Sequence, residues 1–154
     1  MSAEGGFAQL LPEEDQALVR AATEAVRARY RYGRHTVGAA ILCASGRIHA
    51  AVNLDATVGR AAVCAEAVAL GAAVMAGEAV EAVVAVRQHR AGERLGAERQ
   101  GSEGHAEEAP RVSIVSPCGL CRELLLDHAP DAMVILPGRG RVPLKALLPD
   151  PYRR

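Results

Sequence analysis

Aromatic residues are scarce in this chain of 154 residues, which has one Phe, three Tyr and no Trp. Proteins that hold single-stranded nucleic acid stack successive bases on aromatic rings, and this chain has little to stack on. A net charge of one sign is also missing, since 18 Lys and Arg face 18 Asp and Glu. No global field therefore draws the protein to a polyanion or an acidic membrane. No apolar run reaches the about eighteen residues that would span a bilayer. The acidic, alanine-rich N-terminus has neither the basic flank nor the hydrophobic centre of a secretory signal. The expectation is a soluble cytoplasmic protein with no nucleic-acid or membrane partner. Cysteines number four, and in a reducing compartment they read as metal ligands, nucleophiles or core residues before disulfides.

What is present is an apolar half of the chain, at a length that fits one domain, residues 1–154. Residues 12–31 read as a first helix: Pro12 suits the first turn, Glu13, Glu14 and Asp15 complement the positive end of the dipole, and Arg27, Arg29 and Arg31 the negative end. Leu18, Ala22, Val26 and Tyr30 recur every fourth position as one apolar face, and Gly33 ends it. Residues 36–43 (TVGAAILC) and 47–53 (RIHAAVN), joined by Ala44-Ser45-Gly46, predict a β-hairpin. Gly38, Ala39 and Ala40 are small enough to admit a ligand or a closely packed helix. Residues 61–76 are apolar all round, the mark of a buried helix, with Gly77 as its cap. Residues 80–86 are a β-branched strand, so helix and strand make a crossover unit.

Residues 88–111 are polar and charged, read as a solvated insertion or else as a lid or partner-binding loop. Strand 112–115, helix 118–128 and strand 132–136 follow, then a closing element at 142–148 of unassigned type. The expected fold is α/β, a three-layer helix–sheet–helix sandwich around a mixed five-stranded sheet.

Three cysteines and one glutamate carry the chemistry. Cys118 and Cys121, three apart at a helix start, turn both sulfurs to one side and can grip one ion. Cys64 opens the other helix, where side chains tilt back past the N-terminus. Helix dipoles and free N–H groups lower thiol pKa values there and offset the charge of three sulfurs. Three protein ligands leave a fourth tetrahedral position for water, as in a catalytic zinc site. Glu66, two residues from a ligand, is placed to move the protons of that water.

Cys64-Ala65-Glu66 with Pro117-Cys118-Gly119-Leu120-Cys121 resembles the cytidine deaminase superfamily, including the small cytidine deaminases and blasticidin-S deaminases. The resemblance extends over residues 32–40, Gly46-Arg47-Ile48, Asn53, residues 116–123 and Leu147-Leu148-Pro149. It implies Zn2+ on Cys64, Cys118 and Cys121, Glu66 as the proton shuttle, and removal of ammonia from an aminopyrimidine nucleoside in pyrimidine salvage. It implies substrate contacts at Asn53, Asp55, His35, Ala65 and Ser116, with Asn53 on the sugar, and a homotetramer (or dimer) with sites near subunit interfaces; Tyr152 lies near the chain end, which often closes a neighbour's site in the family.

The chain departs from the family pattern in three places. Asn53-Leu54-Asp55-Ala56 stands where cytidine deaminases have Asn-x-Glu-Asn, so the acid is one methylene short of the ribose. His35 stands where the family often has Phe, and Ala67 replaces the usual Arg, as in blasticidin-type enzymes. With that arginine gone, Arg122 or Arg60 is a candidate donor to a cysteine sulfur. The competing readings are a dithiol redox pair, a non-catalytic module with structural zinc that binds a partner, and a deaminase of bases in tRNA or DNA or of another amino-heterocycle. Cys43 reads as a core strand residue, His49 and His89 as surface or strand residues; His105 and His128 carry no site signal.

Overall fold

The apolar stripe at every fourth position does form a helix, α1 (Glu13–Arg29). Leu18, Ala22 and Val26 are fully buried and Tyr30 packs at the edge of the same cluster. Burying the Leu and Val contributes about 2 kcal/mol each. The helix stops before the turn around Gly33, whose φ of 70° only glycine adopts without strain. These coordinates come from a computed structural model and describe residues 8–91, 93 and 110–152.

The hairpin is strands β1 (Val37–Cys43) and β2 (Ile48–Val52), antiparallel with Ala40 opposite Ala50. Helix α2 (Ala65–Met75) crosses to β3 (Val80–Gln88), and β4 (Val112–Val115), α3 (Gly119–His128), β5 (Met133–Leu136) and β6 (Gly140–Pro143) complete the chain. Six strands form the mixed sheet, ordered β2-β1-β3-β5-β6 with β4 also on β3. The sixth is β6, the first part of the closing element that sequence left unassigned; a 3-10 turn, Leu144–Leu147, follows it.

β3 organises the sheet. One edge pairs antiparallel with β1 along its length. The other edge is shared: Ala82 and Val83 pair parallel with β5, while residues from Ala85 to Gln88 pair antiparallel with β4. Alternation then sorts side chains into two layers. Ala82, Val84 and Val86 face α1, and Val83 faces α2 and α3 together with Ile41, Leu70, Leu125 and Val134. The sandwich is therefore three layers deep, as expected.

Two expectations need correcting. Gln88 and His89 belong to the fold and not to the polar insertion: Gln88 N–H donates to Thr36 O at 2.9 Å, and the buried His89 ring lies 2.7 Å from Ser113 Oγ. Ser113 meets His89 Nε2 in this buried position, while Gln88 Oε1 and His89 Nδ1 are buried without a hydrogen-bond partner among the described residues. Residues 92 and 94–109 of the insertion, including His105, lie outside the described residues, and with them any lid role. Helix α2 is buried on one face only, for Gly71, Ala72, Val74 and Met75 are exposed. The sheet and α3 cover one side of that helix, and nothing among the described residues covers the other.

Candidate functional site

Small side chains bring the site together. Ala39, Ala65 and Ala85 pack as a cluster with Val37 and Val115 at its margin. With only methyl groups between them, the first turn of α2 sits close on β1 and β3. That places Cys64, the residue capping α2, and Glu66 over one end of the sheet. On the neighbouring strand β4 ends at Val115, buried Pro117 turns the chain, and Cys118 caps α3.

The two helix starts converge. Cys64 Sγ and Cys118 Sγ are 3.7 Å apart, and with Cys121 all three sulfurs lie within 4.8 Å of one another. None is in a disulfide. Tetrahedral zinc with sulfur at about 2.3 Å holds its sulfurs about 3.8 Å apart, so the donor set fits that ion. Burial is graded, with Cys121 and Glu66 buried, Cys64 half-buried and Cys118 exposed.

The electrostatics agree with a cation site. Burial pushes the Cys121 thiol far up, and the charges of Glu66 and the other two sulfurs add to it. Burial also raises Cys64. At Cys118 burial acts in the same direction but is outweighed by the Cys121 and Leu120 backbone N–H groups at the start of α3 and by the neighbouring thiols, so this thiol lies below its ordinary value. Burial raises the Glu66 carboxyl, against a weaker pull from its own backbone N–H and the Cys121 thiol. Three sulfurs and a carboxylate crowded in low dielectric resist ionising together; a divalent cation relieves that repulsion.

A cavity of about 260 Å³ opens beside the sulfurs. Asn53, Ala65, Glu66, Ser116, Cys64 and Cys118 are on its wall, joined by Val37, Leu54, Ala62, Val63 and Val115. Those apolar members escaped sequence reasoning. Their signal is the pairing of Leu54 with Val63, which folds residues 54–63 back across the site and has no local motif.

The structure does not bring His35 and Asp55 to the wall. His35 Nδ1 is 2.7 Å from the Asn53 carbonyl oxygen, which ties the ring to the backbone. Asp55 is exposed and accepts from the Ala56 N–H at 2.8 Å. Asn53 does more than line the cavity. Its Oδ1 accepts from the N–H groups of Thr36 and Val37 at 2.9 and 3.0 Å, and its Nδ2 donates to Arg34 O at 3.0 Å. One Nδ2 hydrogen is left over.

Arg122 does not reach a sulfur with the bonds it makes. Its Nε donates to Pro117 O and its Nη1 to Leu147 O, both at 3.0 Å, so it braces the turn that presents Cys118. Arg60 is exposed in a 3-10 turn and makes no hydrogen bond to a cysteine among the described residues. Both helix starts remain as the sources of positive potential.

Comparison with known proteins gives one consistent result. Residues 12–136 match the family model for the cytidine and deoxycytidylate deaminase zinc-binding region. The chain is 37% identical over 149 residues to blasticidin-S deaminase of Bacillus cereus, covering 94% of this chain and 96% of that one. It is 32% identical over 145 residues to cytidine deaminase of Mycobacterium tuberculosis, covering 92% of each. The crystal structure of the M. tuberculosis cytidine deaminase superposes with a TM-score of 0.67 at 28% identity, over 90% of this chain and 97% of that one.

Proposed function

Because the chain belongs to the cytidine and deoxycytidylate deaminase family and carries its zinc-binding region, we propose that it is a hydrolytic deaminase converting an aminopyrimidine nucleoside to its keto form with release of ammonia. Cytidine, deoxycytidine and modified analogues such as blasticidin S are the candidates, and we favour the modified class. The observation that carries the reading is the buried Glu66 on a cavity wall beside three clustered sulfurs.

Cys64, Cys118 and Cys121 would hold the zinc, which when bound would supply a water that ionises near neutral pH. Glu66 takes one proton from the reacting water to the ring nitrogen, and then a second, from the hydroxyl now on the ring carbon, to the amine, which departs as ammonia as the C–N bond breaks. Its burial keeps bulk water from competing for those protons. Ala65 and Val37 leave room for a flat ring, and the spare Nδ2 hydrogen of Asn53 is available to a sugar hydroxyl. Asp55 is exposed and is not among the residues lining the cavity, so in this reading the family's ribose-binding glutamate has no equivalent here. That favours a substrate whose sugar differs from plain ribose, in keeping with the greater identity to the blasticidin-S enzyme.

With no net charge, the protein has no field to attract a nucleic acid, so a free nucleoside in the cytoplasm is the substrate in this reading. A homotetramer or dimer belongs to the same reading, its contact being the uncovered face of α2. The test is ammonia release from a panel of cytidine, deoxycytidine, cytosine and blasticidin S by zinc-loaded protein. Activity on at least one nucleoside is expected, and Glu66→Gln should lower it by about 10²–10⁴-fold while retaining zinc. Full activity in that variant, or none in the native protein on every compound, rejects the proposal.

A further inference from the structure

At the far end of α2 from the cavity lies a second constellation of metal-ligating side chains. We propose that Cys43, His49 and Glu78 form a second site for zinc or a similar borderline divalent cation, separate from the three-sulfur cluster. The helix between the two has eleven residues, which at 1.5 Å per residue sets them about 16 Å apart.

The fold builds this site from the hairpin and the end of α2. The turn between β1 and β2 is closed by Cys43 N–H donating to Arg47 O and Gly46 N–H donating to Cys43 O, with Gly46 at φ 84°. Ile41 faces His49 across the pair, and Cys43 lies two residues beyond Ile41 on the same face of the sheet. Gly77, at φ 69°, ends α2 and turns Glu78 towards that face, while Ala44 N–H donates to Ala79 O and holds the hairpin turn against this loop.

One ligand atom from each residue, a sulfur, an imidazole nitrogen and a carboxylate oxygen, lies within 4.8 Å of the other two. His49 Nε2 and Glu78 Oε2 are 2.7 Å apart. Ligands at about 2.0 Å in a tetrahedron stand about 3.3 Å from each other, so taking up an ion needs this pair to open by only about half an ångström. A thiolate, a neutral imidazole and a carboxylate match zinc in softness and neutralise its two charges. Cys43 is fully buried, and the His49 and Glu78 side chains are only 16% and 12% exposed.

Around these three the supports of a metal site are also present. Ser45 Oγ donates to Glu78 Oε1 at 2.6 Å, fixing the carboxylate while its other oxygen faces His49. Arg47, whose side chain is 65% exposed, touches Glu78 only through a 3.7 Å contact and can swing into solvent when a cation enters. Three protein ligands leave at least one position for water or an added ligand. The bound ion would clasp the end of α2 to the hairpin.

The measurement is zinc stoichiometry of the full chain after equilibration with micromolar free zinc and gel filtration. Two zinc ions per chain are expected. His49→Ala and Glu78→Gln should each reduce this to one and leave ammonia release unchanged. Cys64→Ser should also leave one, without activity. Cobalt binding gives a second reading: in Cys64→Ser the remaining ion should still show a thiolate-to-cobalt band, which His49→Ala added to it removes. One zinc per chain in the native protein, or two retained in both His49→Ala and Glu78→Gln, overturns the proposal. Since zinc is counted and not turned over, the outcome stands apart from whether a substrate is found.

Discussion

Asn53 shows how one side chain can serve two purposes. Three of its hydrogen bonds go to backbone groups of Arg34, Thr36 and Val37, so it fixes the loop entering β1 before it meets any ligand. Asn53→Ala strands those groups and should cost about 1–3 kcal/mol, read as a lower urea midpoint, with a raised KM for any nucleoside that is turned over. Asp55→Ala should leave both nearly unchanged, because the carboxylate bonds only its neighbour's N–H. A large KM rise from Asp55→Ala would put that residue back at the sugar. The family resemblance implied contacts at both Asn53 and Asp55, with the acid one methylene short, and spacing along an extended segment does not say which side chain turns inward. Cys64, Glu66, Cys118 and Cys121 were legible for the opposite reason: each stands at or beside the start of a helix, where direction is fixed by the backbone.

Elements were legible wherever hydrophobic period and termination signals agreed. The four-residue stripe of α1 and the β-branched run of β3 gave their types, and glycine marked where α2 ends. The type of residues 140–147 was not, because a four-residue strand followed by one 3-10 turn is too short for either period to register. The run of small residues in β1 allowed a ligand or a helix to come close, and the structure shows a helix packed on each face. Ala39 lies beneath Ala65 at the site. On the opposite face, a Cβ on Gly38 would collide with the Ala22 carbonyl oxygen and come 3.0 Å from Val26 Cβ. Helix α1 thus rests directly on the strand backbone there. Gly38→Ala has to push the helix away and should lose at least about 2 kcal/mol, seen as a lower urea midpoint at unchanged slope. An unaltered midpoint would mean that α1 does not lie where this contact puts it.

Across the whole molecule, the ends of the chain are joined by charge. Asp15 is buried and accepts from Arg141 Nε at 2.7 Å, linking α1 to β6 over 126 positions. Sequence assigned Asp15 to the helix dipole; the partner was invisible because nothing local marks it. Asp15→Ala leaves Arg141 without that partner. As Arg141 is 29% exposed and keeps Glu14 at 3.0 Å, the cost should be near about 2 kcal/mol and not the larger loss of a fully buried pair. For a domain of this size that is a melting temperature lower by about 4–8 °C.

Among the described residues the outer face of α2 is an uncovered apolar feature, where Val74 and Met75 are 50% and 89% exposed. Leu54, Val63 and Leu120 are exposed around the sulfur cluster. An apolar helix face left bare by its own chain is the surface that a second copy would cover. Met75→Lys separates that role from a role in folding. A lysine in the last turn of α2 favours the helix dipole, so the single chain should stay folded, whereas a desolvated lysine in a subunit contact is costly. Sedimentation should show the native chain as a dimer or tetramer and Met75→Lys as a smaller species with an unchanged circular-dichroism spectrum. A native chain that sediments as a monomer would mean that this face meets water, and the assembly reading would fall with it.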